Sequence, residues 1–368
     1  MASDRALTPL EAAIVAVKPL DEEAMAAARA HLDGLTKPRG SLGRLEELVI
    51  TLAGITGKPA PALERRRIVI VAADHGIAHR GVSAYPPEVT GQMTDNFLAG
   101  GAAINALAKW ARASVVVVDA GVATPYARSG AGGTSARLVS WPIRPGTDDI
   151  SVGPAMTRQD AVRSVELGLR VAADMVREGT GVVGLGEMGI GNTTSASAIT
   201  AAMTGRPVQT VTGRGTGVDE RDWARKVDLI EQAITINRPD PADPIGVLAG
   251  IGGLEIGTLV GLILGSAAAR IPIVLDGFIT GSAALIAAEL CPAVRARLTA
   301  AHRSPEPGHA VILDRLGLVP VLELDLRLGE GTGAALVIGL LDAASHVRDE
   351  MATFDSAGVS DRSVGVVC

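Results

Sequence analysis

Four short apolar segments of the chain consist mainly of β-branched residues, and each ends at an acidic side chain. Continuous apolar runs of this length are typical of strands buried on both faces of a parallel sheet. Helix-compatible stretches lie between them, and this alternation predicts an α/β fold with a doubly wound parallel sheet and right-handed crossovers. The predicted strands are 68–74, 115–119, 182–187 and 271–276, and the predicted helices include 96–111, 159–178 and 223–237.

The acidic residues at the strand ends define one edge of the predicted sheet. Ligands of doubly wound sheets bind beyond the carboxyl ends of the strands. We therefore expect a ligand site near Asp74, Asp119, Glu187 and Asp276.

Both ends of the chain have helical patterning and no strand-like run. We expect residues 1–62 and 312–368 to pack together as a smaller helical subdomain. The large α/β domain, which would bind the ligands, is then 63–311.

The composition narrows the classes of function. The hydrophobic content of 47% in 368 residues is that of a globular protein with an ample core. Aromatic residues make up only 2%, which argues against binding of single-stranded nucleic acid by base stacking. The net charge of −6 offers no general attraction to nucleic acids or anionic membranes, so any anionic ligand needs a local site.

Cysteine usage and apolar patterning indicate a cytoplasmic protein. Cys291 and Cys368 form neither a disulfide framework nor a zinc pattern, and charged residues interrupt the N-terminal stretch where a signal-peptide core would lie. The most apolar window, 245–269, contains Glu255, which would be costly in lipid. Buried packing is therefore expected there rather than a membrane span.

Segment 184–195 is rich in glycine, follows a predicted strand and opens an alanine-rich helix. It contains the G-x-G-x-x-G spacing of dinucleotide sites, but no acidic residue for the ribose occurs between Met188 and Val218. No lysine follows the last glycine, so it is not a Walker A loop either. The segment is either a phosphate or ribose cradle at a helix N-terminus or simply a tight turn.

A second glycine-rich segment, 213–217, precedes a helix that carries Lys226. Alternating glycines expose successive N–H groups as an anion nest, and a lysine at this distance can reach a phosphate. The alternative is a solvated loop with a surface lysine.

A third segment, 327–334, places Glu330 between glycines and directly before a long apolar run. Partial desolvation there would raise the pKa of the carboxyl towards the range of a working base. The alternative is a carboxylate that only complements the helix dipole.

Two further segments carry weaker signals. His75 and His79 have metal-like spacing, but only Asp74 could join them, so no metal site is predicted. The rigid loop 81–87 and the helix expected from Gln92 could form a small pocket for an aromatic ring.

The chain has no G-x-S-x-G elbow, which disfavours serine hydrolase chemistry.

Six motifs occur in order along the chain. They are KPRGSLGRLE at 37–46, ADHG at 73–76, GEMGIGNTT at 186–194, GRGTG at 213–217, AHRS at 301–304 and LRLGEGTG at 326–333. Together they resemble the family of nicotinate-nucleotide–dimethylbenzimidazole phosphoribosyltransferases, which act in assembly of the cobalamin nucleotide loop. The resemblance runs from about Lys37 to Met351.

The resemblance implies a reaction in which a benzimidazole nitrogen attacks C1′ of nicotinate mononucleotide, nicotinate leaves, and an α-ribotide forms with inversion. It implies that Glu330 is the general base for the azole proton. A pyridinium nitrogen is already a good leaving group, so we expect no cofactor and no metal. The family resemblance also implies a Rossmann-like sheet and a homodimer, for which apolar helices such as 282–290 would offer surface.

The resemblance further implies two sets of substrate-binding residues. Those expected around the nucleotide phosphate and ribose are Glu187, Gly189, Gly191, Asn192, Thr193, Gly213, Gly215, Thr216, Gly217, Lys226 and Ser304. Those expected around the benzimidazole are Ser83, Tyr85, Gln92 and Leu328.

Three alternatives stay open at this point. They are a magnesium-dependent phosphoribosyltransferase that uses pyrophosphoryl-ribose phosphate, a non-catalytic nucleotide- or azole-binding module, and a Rossmann dehydrogenase. The sequence does not identify the physiological base among dimethylbenzimidazole, benzimidazole, adenine and a phenol.

Overall fold

The computed structural model describes residues 7–126, 136–215, 217 and 219–361. At its centre is a six-stranded sheet in the order β3-β2-β1-β4-β5-β6, in which all neighbouring strands are parallel. The strands are β1 (Arg66–Ala73), β2 (Ala113–Gly121), β3 (Ala136–Ser140), β4 (Val182–Met188), β5 (Ile273–Leu275) and β6 (Leu298–Ala300). The predicted doubly wound parallel sheet is confirmed, and the short strands β3 and β6 were not predicted.

Helices cover both faces of the sheet, because side chains of each strand point alternately to two cores. In β1, Val69 and Val71 belong to one core, whereas Ile68 and Ile70 belong to the other. The helices are α1 (Pro9–Ala16), α2 (Glu22–Asp33), α3 (Arg44–Thr56), α4 (Val89–Ala99), α5 (Ala103–Trp110), α6 (Arg158–Arg177), α7 (Asn192–Thr204), α8 (Val208–Val211), α9 (Glu220–Asn237), α10 (Pro244–Ile251), α11 (Leu254–Ala268), α12 (Phe278–Leu290), α13 (Pro307–Leu316), α14 (Thr332–Glu350) and α15 (Phe354–Ala357), with 3-10 helices at Gly76–Arg80 and Pro292–Arg297.

Glycines divide two stretches that the sequence suggested were continuous. The predicted helix 96–111 is broken after α4, where Gly100 takes a left-handed φ of 87°. The apolar window 245–269 is two helices, α10 and α11, and Glu255 near the start of α11 is fully buried. Among the described residues, no helix combines the length and apolar character needed to cross a membrane.

The two ends of the chain contact each other through α2, α3 and α14. Ala28 and Leu32 of α2, Ala53 of α3 and Ala344 of α14 share one small buried cluster. Helix α1 instead packs on α6 and α11. The proposed domain boundaries stay a prediction.

The surface expected for association was assigned wrongly. Residues 282–290 belong to α12, where 283–288 are buried against α7, α11 and α13. This helix is a central part of the core, and its apolar composition reflects packing within one chain.

Candidate active site

A cavity of about 350 Å³ lies at the carboxyl ends of β4 and β5. The chain leaves β1 towards one edge of the sheet and continues from β4 towards the other, so the strand order reverses between β1 and β4. Such a switch point is where doubly wound sheets bind ligands. The predicted site residues that line the cavity are Tyr85, Glu187, Gly189, Asn192, Thr193, Gly215, Ser304, Leu328 and Glu330.

Glu330 occupies an unusual backbone position in the cavity wall. Gly329, Glu330 and Gly331 have consecutive φ angles of 83°, 63° and 84°. A residue with a side chain rarely adopts this left-handed conformation, which persists only where the surroundings enforce it and is enriched at functional sites. Glu330 is 4% exposed, and its Oε2 has no hydrogen-bond partner among the described residues.

Asp276, which follows β5 directly, fixes the loop that carries Glu330. Its carboxylate accepts hydrogen bonds from the N–H groups of Gly331 at 3.0 Å, Gly333 at 2.7 Å and Ala334 at 3.2 Å. These N–H groups belong to the start of α14, where a carboxylate also complements the helix dipole. Glycine is required at 333, since a Cβ there would overlap the ring of His302.

Burial and neighbouring charges raise the pKa of both glutamates in the cavity. Burial, followed by the negative charge of Asp276, raises the pKa of Glu330 to about 7. Burial, followed by the charges of Glu255 and Asp276, raises the pKa of Glu187 to about 8. Both carboxyls therefore titrate well above their usual range, and a carboxyl of this kind can act as a general base near neutral pH.

Glu187 lies beside the loop 329–331 that carries Glu330. Asn192 donates a hydrogen bond from its side-chain nitrogen to Glu187 Oε2. A Cβ on Gly329 would lie 2.5 Å from Glu187 Oε1, so the absence of a side chain at Gly329 allows this approach.

The glycine-rich segment after β4 is both a tight turn and a helix N-terminus at the cavity. A Cβ on Gly189 would lie 2.5 Å from the carbonyl oxygen of Ala73, and Gly191 takes a left-handed φ of 95° as it begins α7. Asn192 and Thr193, the first residues of α7, line the cavity, whereas Gly191 does not.

Lys226 is fully buried in α9 and does not line the cavity itself. Its Nζ donates a hydrogen bond to Thr193 Oγ1 at 2.8 Å, which places the cation behind the start of α7. Burial lowers the pKa of Lys226 to about 8, and the charge of Glu306 opposes that shift.

The segment predicted as an anion nest is partly at the cavity. Gly215 lines it, Gly213 is buried beside it, and Gly217 is exposed. Thr216 lies outside the described residues. Ser304 lines the same region, and its backbone N–H donates to His309 Nδ1 at 3.0 Å.

The four residues expected around the benzimidazole divide into two pairs. Tyr85 and Leu328, 55% and 57% exposed, lie at the cavity. Ser83 and Gln92 do not line it, and Ser83 Oγ instead accepts the N–H of Tyr85 at 3.2 Å. Val89 and Met93 of α4 supply further apolar wall.

Two of the four acidic residues at the strand ends have structural partners away from the cavity. Asp74 Oδ2 accepts the N–H groups of Ala123 and Thr124 at 2.8 and 3.0 Å, and Asp119 accepts the Tyr126 hydroxyl at 2.7 Å. His75 forms a buried pair with Glu255 at 2.6 Å. Among the described residues, no group of three or more His, Cys, Asp or Glu side chains is arranged to hold a metal ion.

Known proteins of similar sequence and fold include several that carry the same activity name. A family model described as phosphoribosyltransferase matches residues 17–359. The chain belongs to this phosphoribosyltransferase family. A nicotinate-nucleotide–dimethylbenzimidazole phosphoribosyltransferase of Chloroflexus aggregans is 54% identical over 346 residues, which cover 94% of this chain and 96% of the relative. One of Geobacter sulfurreducens is 51% identical over 355 residues, with 96% and 99% covered.

A solved structure agrees with these relatives of the family. The crystal structure of nicotinate-nucleotide–dimethylbenzimidazole phosphoribosyltransferase from Thermus thermophilus superposes with a TM-score of 0.85 at 44% identity. The match covers 93% of this chain and 100% of the solved chain. The resemblance inferred from the six motifs is thereby confirmed, and the dehydrogenase alternative is rejected.

Three residues that line the cavity, Asp276, His302 and Glu306, were not predicted from the sequence to have a role there. Asp276 was placed at the sheet edge without a role, and His302 was quoted only as part of a motif. Glu306 was not considered, although it follows that motif closely and precedes Pro307 at the first position of α13. A proline at this position marks a helix start, so the sequence could have indicated that Glu306 lies at a helix N-terminus.

Proposed function

We propose that this protein transfers the phosphoribosyl group of nicotinate mononucleotide to 5,6-dimethylbenzimidazole, giving α-ribazole 5′-phosphate and nicotinate for the lower ligand of cobalamin. Membership of the phosphoribosyltransferase family and the activity name shared by its relatives support the reaction. The observation that carries the assignment of the base is Glu330, a buried carboxyl in a left-handed turn whose pKa is raised to about 7.

In the proposed reaction, the unprotonated ring nitrogen of the benzimidazole supplies the electron pair that forms the new bond to C1′. The bond from C1′ to the nicotinate nitrogen breaks, and its electron pair neutralises the pyridinium. The ribosylated benzimidazole is then cationic, and its N–H proton passes to the Glu330 carboxylate. The protein has only to align the two substrates and accept one proton.

The polar end of the cavity suits the nucleotide. Asn192 and Thr193 at the start of α7 line this end together with Gly215 and Ser304. The N-terminal end of a helix favours an anion through the helix dipole. Lys226 adds a positive charge behind Thr193. Glu187, whose pKa is raised to about 8, can approach the ribose as a hydrogen-bond partner. We propose that these groups bind the phosphate and ribose.

The apolar end suits the benzimidazole. Tyr85, Leu328, Val89 and Met93 provide apolar and aromatic surface at the cavity, on the side of α4. We propose that the ring lies there, with its proton-bearing nitrogen directed at Glu330.

The experiment that tests this function is mass spectrometry of the products after incubation with nicotinate mononucleotide and a mixture of bases. We expect free nicotinate and a benzimidazole ribotide in equal amounts. Ribotide formation only from pyrophosphoryl-ribose phosphate with magnesium, or tight binding without turnover, would contradict the proposal. The identity of the preferred ribotide would also name the physiological base.

We also propose that the protein is a cytoplasmic homodimer. The family resemblance supports the dimer, and the cysteine usage supports the compartment. Light scattering would test the dimer, and a monomeric mass at micromolar concentration would contradict it.

A further inference from the structure

The carboxylate of Glu306 occupies the glycine-rich loop in which we place the phosphate. Glu306 Oε1 accepts the N–H of Gly215 at 2.8 Å. Its Oε2 is buried and has no hydrogen-bond partner among the described residues. Glu306 also lines the cavity, so one of its oxygens already takes an N–H group that an incoming anion would use.

Gly213 makes room for this carboxylate. A Cβ on Gly213 would overlap the carboxyl group of Glu306. The absence of a side chain at Gly213 therefore leaves space for the carboxylate of Glu306.

The buried cation Lys226 lies on the other side of the same loop residue. A Cβ on Gly215 would lie 3.3 Å from Lys226 Nζ and 2.9 Å from Thr193 Oγ1. Gly215 is thus enclosed between the lysine and Glu306. The charge of Glu306 favours the protonated form of Lys226 against the effect of burial on its pKa.

We propose that Glu306 is a specificity-determining residue. Its carboxylate occupies the phosphate site at the Gly215 loop and is displaced by the 5′-phosphate of nicotinate mononucleotide. This inference rests on the proposed function. A phosphate and a carboxylate at the same N–H group would repel each other strongly in a partly buried site, so the carboxylate moves away when the phosphate enters. Displacement exposes the Gly215 N–H and leaves Lys226 facing the phosphate.

The exchange selects among anions. A small anion gains only the contacts of the Gly215 loop, and Glu306 already accepts the N–H group there. A nucleotide also gains contacts of its ribose and ring in the rest of the cavity, and these offset the cost of moving the carboxylate. A nucleoside has no phosphate to bind at the Gly215 loop, so its affinity is independent of Glu306.

Calorimetry with three probes tests the proposal: nicotinate mononucleotide, nicotinate riboside and inorganic phosphate. Glu306→Gln removes the charge and retains an oxygen that can accept the Gly215 N–H. We expect it to bind the mononucleotide and inorganic phosphate about tenfold more tightly than the wild type, as one removed like charge near the ligand would give. Binding of the riboside should be unchanged.

Two further variants separate charge from structure. Glu306→Asp retains the charge, and we expect its anion affinities to stay near the wild-type values. Glu23→Gln makes the same change in net charge on the exposed face of α2, and should change none of the three affinities. A folding defect would appear in thermal melts and would lower binding of all three probes together.

Unchanged or weaker binding of the mononucleotide and inorganic phosphate by Glu306→Gln would overturn the proposal, as would an equal change for the riboside. Failure of the proposed function has a different signature. In that case the wild type would produce no ribotide from the mononucleotide, while the effect of Glu306→Gln on inorganic phosphate would still be measurable.

Discussion

Asp276 accepts the backbone N–H of Gly331 at 3.0 Å and thereby fixes the peptide group that directly follows Glu330. One carboxylate thus has two effects on the proposed base. It holds the left-handed turn through hydrogen bonds to the start of α14, and its charge adds to burial in raising the pKa of Glu330. Position and proton affinity of the base therefore depend on the same neighbour.

Asp276→Asn removes the negative charge, so the pKa of Glu330 should fall. The amide oxygen can still accept the N–H groups of Gly333 and Ala334, whereas the amide nitrogen cannot accept the N–H of Gly331. In the wild type, kcat/KM should decrease as the pH falls through about 7, because Glu330 becomes protonated. In the variant this acidic limb should move to lower pH. A pH profile of kcat/KM measures the shift, and an acidic limb that stays near 7 would show that Asp276 does not control the base.

The raised pKa of Glu187 predicts a dependence of stability on pH. The native protein keeps this carboxyl protonated up to about pH 8, whereas the unfolded chain releases the proton near the ordinary value of 4.5. Because the native state binds more protons between these values, the contribution of Glu187 to stability is present below pH 4.5 and is lost as the pH rises to about 8.

Thermal melts between pH 5 and pH 9 should therefore show a decline in Tm that Glu187→Gln reduces, since glutamine stays neutral throughout. Glu23→Gln, on the exposed face of α2, is the matched control. An identical pH dependence in wild type and Glu187→Gln would mean that Glu187 is ionised in the native protein.

Lys226→Ala should weaken the binding of nicotinate mononucleotide far more than it changes the pH profile. A charge-assisted hydrogen bond to phosphate contributes roughly 1.5–3 kcal/mol, which corresponds to an increase in KM of about 10- to 100-fold. Steady-state kinetics with varied nucleotide measures it. An unchanged KM would remove Lys226 from the phosphate site and leave it as a structural partner of Thr193.

The central sheet could be predicted because its strands are buried on both faces. Runs such as 68–74 and 115–119 are apolar almost throughout. Such a pattern is typical of strands buried on both faces and not of surface helices or loops. Strand β6 has only three residues, Leu298–Ala300, and strand β3 includes Arg137, so neither forms a continuous apolar run. Edge strands of this kind give too little signal for a sequence pattern to detect.

The site was predictable where a motif needs a particular backbone geometry. Glu330 stands between two glycines in the sequence, and the structure has three consecutive left-handed residues there. Asp276 and Glu306 depend on contacts between residues distant in the chain, and local sequence does not encode those contacts. The same holds for Lys226, whose burial behind Thr193 follows from the packing of α9 on α7.

The apolar composition of α12 was misleading for the same reason. A helix that is apolar on all sides can lie in a core or at an interface between chains, and composition does not distinguish the two. Its neighbours α7, α11 and α13 decide the matter, and they come from both sides of it in the sequence.

The assignment of Glu330 as general base is tested most directly by single-turnover rates of Glu330→Gln and Glu187→Gln at saturating nicotinate mononucleotide and dimethylbenzimidazole. Glutamine retains the size of the side chain but cannot accept the azole proton. We expect Glu330→Gln to lose about 10²–10⁴-fold in rate with nearly unchanged nucleotide affinity, and Glu187→Gln to lose much less. A near-normal rate for Glu330→Gln together with an inactive Glu187→Gln would contradict the account and assign the base to Glu187.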